Sequence, residues 1–191
     1  MQSLTKGTQR AVRLMGIGIG LAMAGPAALA QPAQTTMATL LDRIQIEELI
    51  TSYYGNLGGN GHGFSDYYTE DATFDLCGKI YSGKAGIEQS YKDLGATQPL
   101  PKGTFHMLLT NPEIIVTGDT ATAKFIWTGI INEQVKAPPR FVEQGREYDR
   151  LVKKNGQWRI TKRVVIADSG LPDFCDASHT PRKDYDLSKD K

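Results

Sequence analysis

Three residue types in this chain are equipped for proton and charge chemistry: an imidazole, several phenols and one well-placed guanidinium. His106 lies near the start of a strand pattern between Phe105 and Met107, and is one of three histidines with His62 and His179. Imidazole titrates near neutrality, so His106 could take and return a proton at working pH; a satisfied structural histidine is the plainer alternative. Tyr53 falls on the apolar face of a helical pattern. A buried phenol needs a partner for its hydroxyl and can serve as proton donor or phenolate base, although a core tyrosine suits the same place. Arg163 follows Trp158 by five residues. A fixed guanidinium steadies a developing oxyanion or leaving group, yet strict alternation puts Arg163 opposite Trp158 and Ile160.

Other side chains read as a lining. Trp127 and Phe125 share one strand face, and Tyr54, Asn60 and Phe105 add polar and aromatic contacts. Glu143, Arg146, Glu147 and Asp149 read as an outer charged face, with one glutamate able to turn inward; Glu147 is placed among the expected substrate contacts. A lining rich in rings suits a planar apolar molecule better than a sugar or phosphate. No phosphate loop, dinucleotide fingerprint or G-x-S-x-G elbow occurs, so nucleotide cofactors and serine hydrolysis have no support. The two cysteines, Cys77 and Cys175, lack neighbours at zinc-ligand spacing. No cofactor and no metal are expected.

These residues must be carried by elements. Apolar positions Leu41, Ile44, Leu49, Tyr53 and Leu57 recur at helical spacing over 37–57, with Ile46, Ile50 and Tyr54 widening the stripe, and Thr35 or Thr36 supplies an N-cap. Gly58-Gly59-Asn60-Gly61 stops that helix. A helical turn over 64–68 follows, then short strands at 72–76 and 79–81, and a helix over 84–94 closed by Gly95. Strand signals over 104–116, 120–133, 141–152 and 158–167 alternate with turn signals such as Asn155-Gly156. Helices first and a long antiparallel meander after them give an α+β layout.

The N-terminus adds an address. Lys6, Arg10 and Arg13 precede an apolar stretch over 14–24 and an Ala28-Leu29-Ala30 cleavage pattern. That stretch is short of the ~20 residues a bilayer span needs. The expected organisation is a signal peptide at 1–30, a linker at 31–36, a domain at 37–170 and a loose polar tail at 171–191, in a periplasmic or secreted protein. The leader carries three of the cations behind the net charge of +1, which leaves the remainder mildly acidic. Such a chain has no footprint for nucleic acid and, once the leader is removed, no membrane segment. An oxidising compartment also permits a Cys77–Cys175 disulfide, with two buried thiols as the alternative.

Several runs together resemble a known family: LLDRIQIEELITSYY, YYTEDATFDL, the G-x-x-x-I start at Gly83–Ile87, HMLLTNPEIIVTGDTATAKFIWTG, QGREYDRLVKKNGQWRITKR and VVIADSG. In order and spacing they are similar to the nuclear transport factor 2-like superfamily, more specifically its SnoaL-like branch. The resemblance spans 40–170. It implies a cone, in which a strongly bent antiparallel sheet wraps about three N-terminal helices and leaves a pocket at its open end. It places His106 where eliminating relatives hold a general base, one residue out of the family's register, and matches Tyr53 and Arg163 to pocket positions. It also exposes a departure: the family's partner Asp falls on Gly58 here. The activity implied is a cofactor-independent lyase (elimination, dehydration or deformylation) on a small apolar, aromatic substrate such as a lignin-derived diaryl compound. A periplasmic binding protein for a small hydrophobic ligand is the alternative, and a purely structural dimerisation module the third reading. The family habit of pairing through the sheet implies a homo-oligomer, a dimer or trimer.

Overall fold

Thr36 opens the first helix: its backbone N–H donates to Thr39 Oγ1 at 3.1 Å, and the Thr39 N–H returns to the Thr36 carbonyl. The computed structural model describes residues 35–56, 63–97, 102–170 and 185–189, all within the unit Ala33–Lys191. Helix α1 is Met37–Gly55 and α2 is Gly83–Thr97; a single 3-10 turn covers Phe64–Tyr67. The strands are β1 Tyr68–Leu76, β2 Lys79–Ser82, β3 Thr104–Thr117, β4 Thr120–Asn132, β5 Arg140–Lys154 and β6 Gln157–Ser169. The leader, Gly58, Asn60, His62 and Cys175 lie outside the described residues.

The six strands form one open sheet in the order β2-β1-β6-β5-β4-β3. The meander from β3 to β6 is antiparallel as expected, and so is the β1–β2 hairpin. The sheet as a whole is nonetheless mixed rather than antiparallel, because β1 joins β6 in parallel, with Phe74 opposite Arg163 and Leu76 opposite Val165. Two of the expected helices are α-helices and the third element is the 3-10 turn. They are also not all N-terminal to the sheet, since α2 follows the first hairpin.

The hairpin turns carry their own chemistry. At Asn155-Gly156 both residues take positive φ, +52° and +77°, the two-residue turn that matches strand twist. Cys77 and Gly78 do the same at +53° and +93°, where the Gly78 N–H donates to Asp75 Oδ1 at 2.7 Å.

Both helices pack on one face of the sheet. Ile46, Ile50 and Tyr53 form the buried stripe of α1, whereas Leu41 and Ile44 are exposed. Ile46 and Ile50, which merely widened the sequence stripe, are therefore its centre together with Tyr53. Polar contacts fix the rotation of the helix: Arg43 donates to the Ile114 carbonyl, and Asp42 accepts from Lys153 at 2.6 Å and from Trp158 Nε1 at 3.1 Å. The Lys153 hydrogen bond holds the Asp42 carboxyl below its usual range. On the opposite face Tyr148, Val164 and Ile166 make a smaller cluster, covered by Tyr185 and Leu187 of the C-terminal segment.

Candidate active site

Strand β5 turns Gly145, Glu147, Asp149 and Leu151 toward the helices, and all four are buried. Its neighbours in register complete the face: Phe125 stands beside Glu147, and Asp149 beside Arg163. A bulge explains the arginine. Arg150 pairs with Lys162 but Leu151 with Ile160, so one extra residue in β6 flips the alternation. Trp158, Ile160, Arg163 and Val165 then share the inner face. The expected outer charged face of β5 is thus corrected. Arg146 does lie on the outer side, paired with Asp168 at 2.8 Å, while Glu147 and Asp149 are wholly buried.

Arg163 is the centre of the constellation. Its Nε and Nη2 donate to the two Asp149 oxygens at 2.8 and 3.1 Å, a fork-to-fork pair. Nη2 also lies 3.0 Å from Glu147 Oε1. The guanidinium stacks 4.0 Å from the Tyr53 ring centroid, with the Tyr54 and Tyr68 rings at 5.8 and 5.6 Å. Tyr54 donates its hydroxyl to Glu147 Oε2. Helix α1 brings the Tyr53-Tyr54 pair, β1 brings Tyr68, and the meander brings the charges.

Two carboxylates facing one cation leave an excess of negative charge in a dry place. Burial pushes the Glu147 carboxyl well above its ordinary 4.5; Arg163 opposes the shift and Asp149 adds to it. Burial also raises the Tyr53 phenol to about 12 and lifts Tyr54 and Tyr68 well above 10. At neutral pH these phenols are proton donors, not phenolates. Three buried polar atoms on this face have neither a hydrogen-bond nor an ion-pair partner among the described residues: Arg163 Nη1, Tyr68 Oη and Trp127 Nε1. Buried polar groups are normally satisfied, so each of these atoms is open to a polar contact from water or a ligand.

The expected site residues separate into those gathered here and those elsewhere. Tyr53, Tyr54, Arg163 and Glu147 converge. Trp127 and Phe105 share the inner face farther along the meander. His106 does not join them. Thr104, His106, Leu108 and Thr110 are exposed while Phe105, Met107 and Leu109 are partly buried, so the imidazole stands on the outer face. Strand β3 has its bulge at 110–113, with Asn111 at φ +53°, beyond His106 and too late to rotate it inward. Asp149 was read from the sequence only as part of an outer charged face, and its pairing with Arg163 went unrecognised. The one available signal was that Asp149 sits two residues from Glu147 on a strand, hence on the same face.

A groove of about 670 Å³ lies elsewhere, between α1, the 3-10 turn and the β5–β6 hairpin, lined by Gln45, Ser52, Asp66, Tyr67 and Arg159 among others. Of its lining residues Tyr67 meets the cluster, its ring edge-on to Tyr53 at 5.5 Å. Its acids, Glu48 and Asp66, are solvent-exposed. The desolvated and paired charges lie in the buried cluster and not in this groove. Among the described residues no group of three or more His, Cys, Asp or Glu is placed to hold a metal, and no helix is long and apolar enough to cross a membrane.

The family model for the SnoaL-like domain matches residues 38–164. The chain belongs to the SnoaL-like family. No curated protein matches it in sequence. Among solved structures it is similar to an NTF2-like protein with a cystatin-like fold from Novosphingobium aromaticivorans, at 22% identity and TM-score 0.55 over 74% of this chain and 88% of that one. A scytalone dehydratase candidate from the same organism is 19% identical, with TM-score 0.57 over 71% and 89%. ActVI-ORFA of Streptomyces coelicolor is 19% identical, with TM-score 0.55 over 65% and 96%. These likenesses establish the nuclear transport factor 2-like fold.

Proposed function

We propose that this SnoaL-like protein is a cofactor-independent acid–base lyase acting on a small apolar, aromatic substrate. A lignin-derived diaryl compound is the sharpest form of the reading, and the basic leader with its Ala-Leu-Ala pattern supports work outside the cytoplasm. The observation that carries the proposal is Glu147: a wholly buried carboxyl with a raised pKa, held by Tyr54 on one oxygen and facing Arg163 with the other. Desolvation makes such a carboxyl hold a proton more tightly than an exposed one, which suits a group that takes a proton and returns it.

In an elimination, Glu147 as carboxylate takes a proton from carbon, and that C–H electron pair becomes the new double bond. The C–O pair departs with the leaving oxygen, which takes its proton from a phenol; Tyr68, buried with an unpartnered hydroxyl, is the donor best placed in chemistry. Arg163 Nη1 steadies the negative charge between the two events. Glu147 then returns its proton to the Tyr68 phenolate, directly or through water, which restores both groups. The scytalone dehydratase label on one structural neighbour is consistent with this class of reaction.

A second reading has its own observation. The bidentate Asp149–Arg163 pair is fully enclosed, as a structural ion pair in a ligand-binding protein would be. Turnover separates the two. A panel of aromatic alcohols, diols and halides is screened for conversion, and the hit is followed with Glu147→Gln. The expected result is a loss of kcat of about 10²-fold or more with ligand affinity retained. Unchanged turnover in both Glu147→Gln and Tyr54→Phe rejects the assignment, and binding with no conversion selects the binding protein.

A further inference from the structure

Arg163 faces two buried carboxylates and bonds them differently. Asp149 takes the fork of the guanidinium: Nε and Nη2 donate to its two oxygens at 2.8 and 3.1 Å. Glu147 Oε1 lies as near, 3.0 Å from Nη2, yet that approach makes no aligned hydrogen bond, and no other donor among the described residues reaches the oxygen. The second glutamate oxygen accepts from Tyr54. The cation beside Glu147 therefore turns its N–H bonds toward another acid.

Register explains the asymmetry. Asp149 stands directly opposite Arg163 across β5 and β6, whereas Glu147 stands opposite Val165 and reaches the guanidinium only along the diagonal. A short side chain directly opposite meets the Nε–Nη2 edge. From α1 the Tyr53 ring stacks on the guanidinium, its centroid 4.0 Å from the central carbon, so one edge and one face of the cation are held. Nη1 is the nitrogen left over, and it has no partner among the described residues. All three charged groups are wholly buried, so bulk water does not compete for these bonds.

Which acid holds the fork decides what the other can do. A carboxylate gripped by a guanidinium fork stays ionised and has its lone pairs engaged. A desolvated acid beside it, left ungripped, keeps a lone pair for a proton. We infer that Asp149 is the positioning residue of this site: by occupying the fork of Arg163 it leaves Glu147 Oε1 open to a proton and Nη1 open to the substrate. Asp149 meets no substrate and acts through Arg163. The other groups around Glu147 fit that division. Tyr53 and Tyr54 face it from α1, Tyr68 from β1, Arg163 from β6 and the apolar Phe125 from β4. Burial is the main influence raising its carboxyl, with Arg163 opposing and Asp149 adding.

The catalytic consequence rests on the lyase reading while the positioning does not, so the test reads the proton on Glu147. Full-length protein carrying carbon-13 at glutamate Cδ is titrated by NMR, with Glu147→Gln assigning the signal. Asp149→Asn keeps the shape of the side chain but sets an amide N–H group against Nη2. Arg163→Lys keeps every charge but has no fork to hold. Both should free the cation to settle on Glu147 and lower its midpoint by about one pH unit or more, a tenfold change in proton affinity. A midpoint unchanged in Asp149→Asn overturns the inference. So does a fall in Asp149→Asn that Arg163→Lys does not share, which would assign the effect to charge alone. Wild type offers a check without substitution: hydrogen-bond couplings should join Arg163 Nε and Nη2 to Asp149 Cγ, and couplings to Glu147 Cδ in their place overturn the inference. The expected midpoint shifts in a protein that converts no substrate would overturn the lyase reading and leave Asp149 in this role.

Discussion

At the scale of the residue, the charge that decides the site is the surplus carboxylate. Glu147 has a folded pKa raised above 4.5 by burial, so the folded state holds its proton to higher pH than the unfolded chain does. The sign follows by linkage: this group's contribution to stability is fully present below the unfolded pKa and is lost as pH rises through the folded value. Thermal unfolding of wild type should therefore show a decline in Tm as pH climbs above about 4.5, and Glu147→Gln should flatten that decline while preserving the fold. The opposite slope would mean that Arg163 holds Glu147 ionised. His106 makes a cleaner prediction. With its imidazole on the exposed outer face of β3, His106→Ala should leave kcat/KM within twofold of wild type for any substrate found. Conversion assays on the pair check this, and a loss of 10²-fold would return histidine to the chemistry.

At the scale of the element, one strand bulge decides which side chains meet. The extra residue in β6 between Ile160 and Arg163 turns the guanidinium inward, and period-two counting from Trp158 puts it on the wrong side. Nothing in Thr161-Lys162 announces a bulge, since a bulge is set by pairing with β5 and not by local composition. The same limit hid the face of β5. Glu143, Glu147 and Asp149 look solvated because they are charged, and the arginine on the adjacent strand makes burying Glu147 and Asp149 tolerable. What was legible had local causes: the Asn155-Gly156 turn, the helical period of α1 and the order of strands in the meander. Gly145 tests the packing of this layer. Its missing side chain leaves room for Trp127 and for the Ile166 carbonyl, each 2.3 Å from where a Cβ would sit. Because one obstacle is backbone, Gly145→Ala should destabilise by about 1–3 kcal/mol. It should also displace the indole, seen as a changed tryptophan emission in the folded protein, together with a lower urea midpoint.

At the scale of the whole molecule, the sheet is open and has two faces with different fates. The inner one carries the helices and the charged cluster; the outer one would present Tyr148, Val164 and Ile166 to water if the chain stopped at β6. Instead the C-terminal segment returns to it. Tyr185 meets the Tyr148 ring at 5.7 Å and accepts a hydrogen bond from Lys162 at 3.0 Å, and Arg150 donates to the Leu187 carbonyl. A tail read from sequence as loose therefore has an anchored stretch, because two apolar side chains among its charges find a patch of matching character. Burying side chains of this size contributes about 1.5–3 kcal/mol each when complete, and Tyr185 and Leu187 are only partly buried. Removing residues 185–191 should then lower stability by about 1–3 kcal/mol in urea unfolding. Ligand affinity at the inner face should not change, since the tail and the cluster lie on opposite sides of one sheet. An equal loss of affinity in the truncated protein would mean that the outer cover sets the geometry of β5 and β6, and with it the position of Arg163.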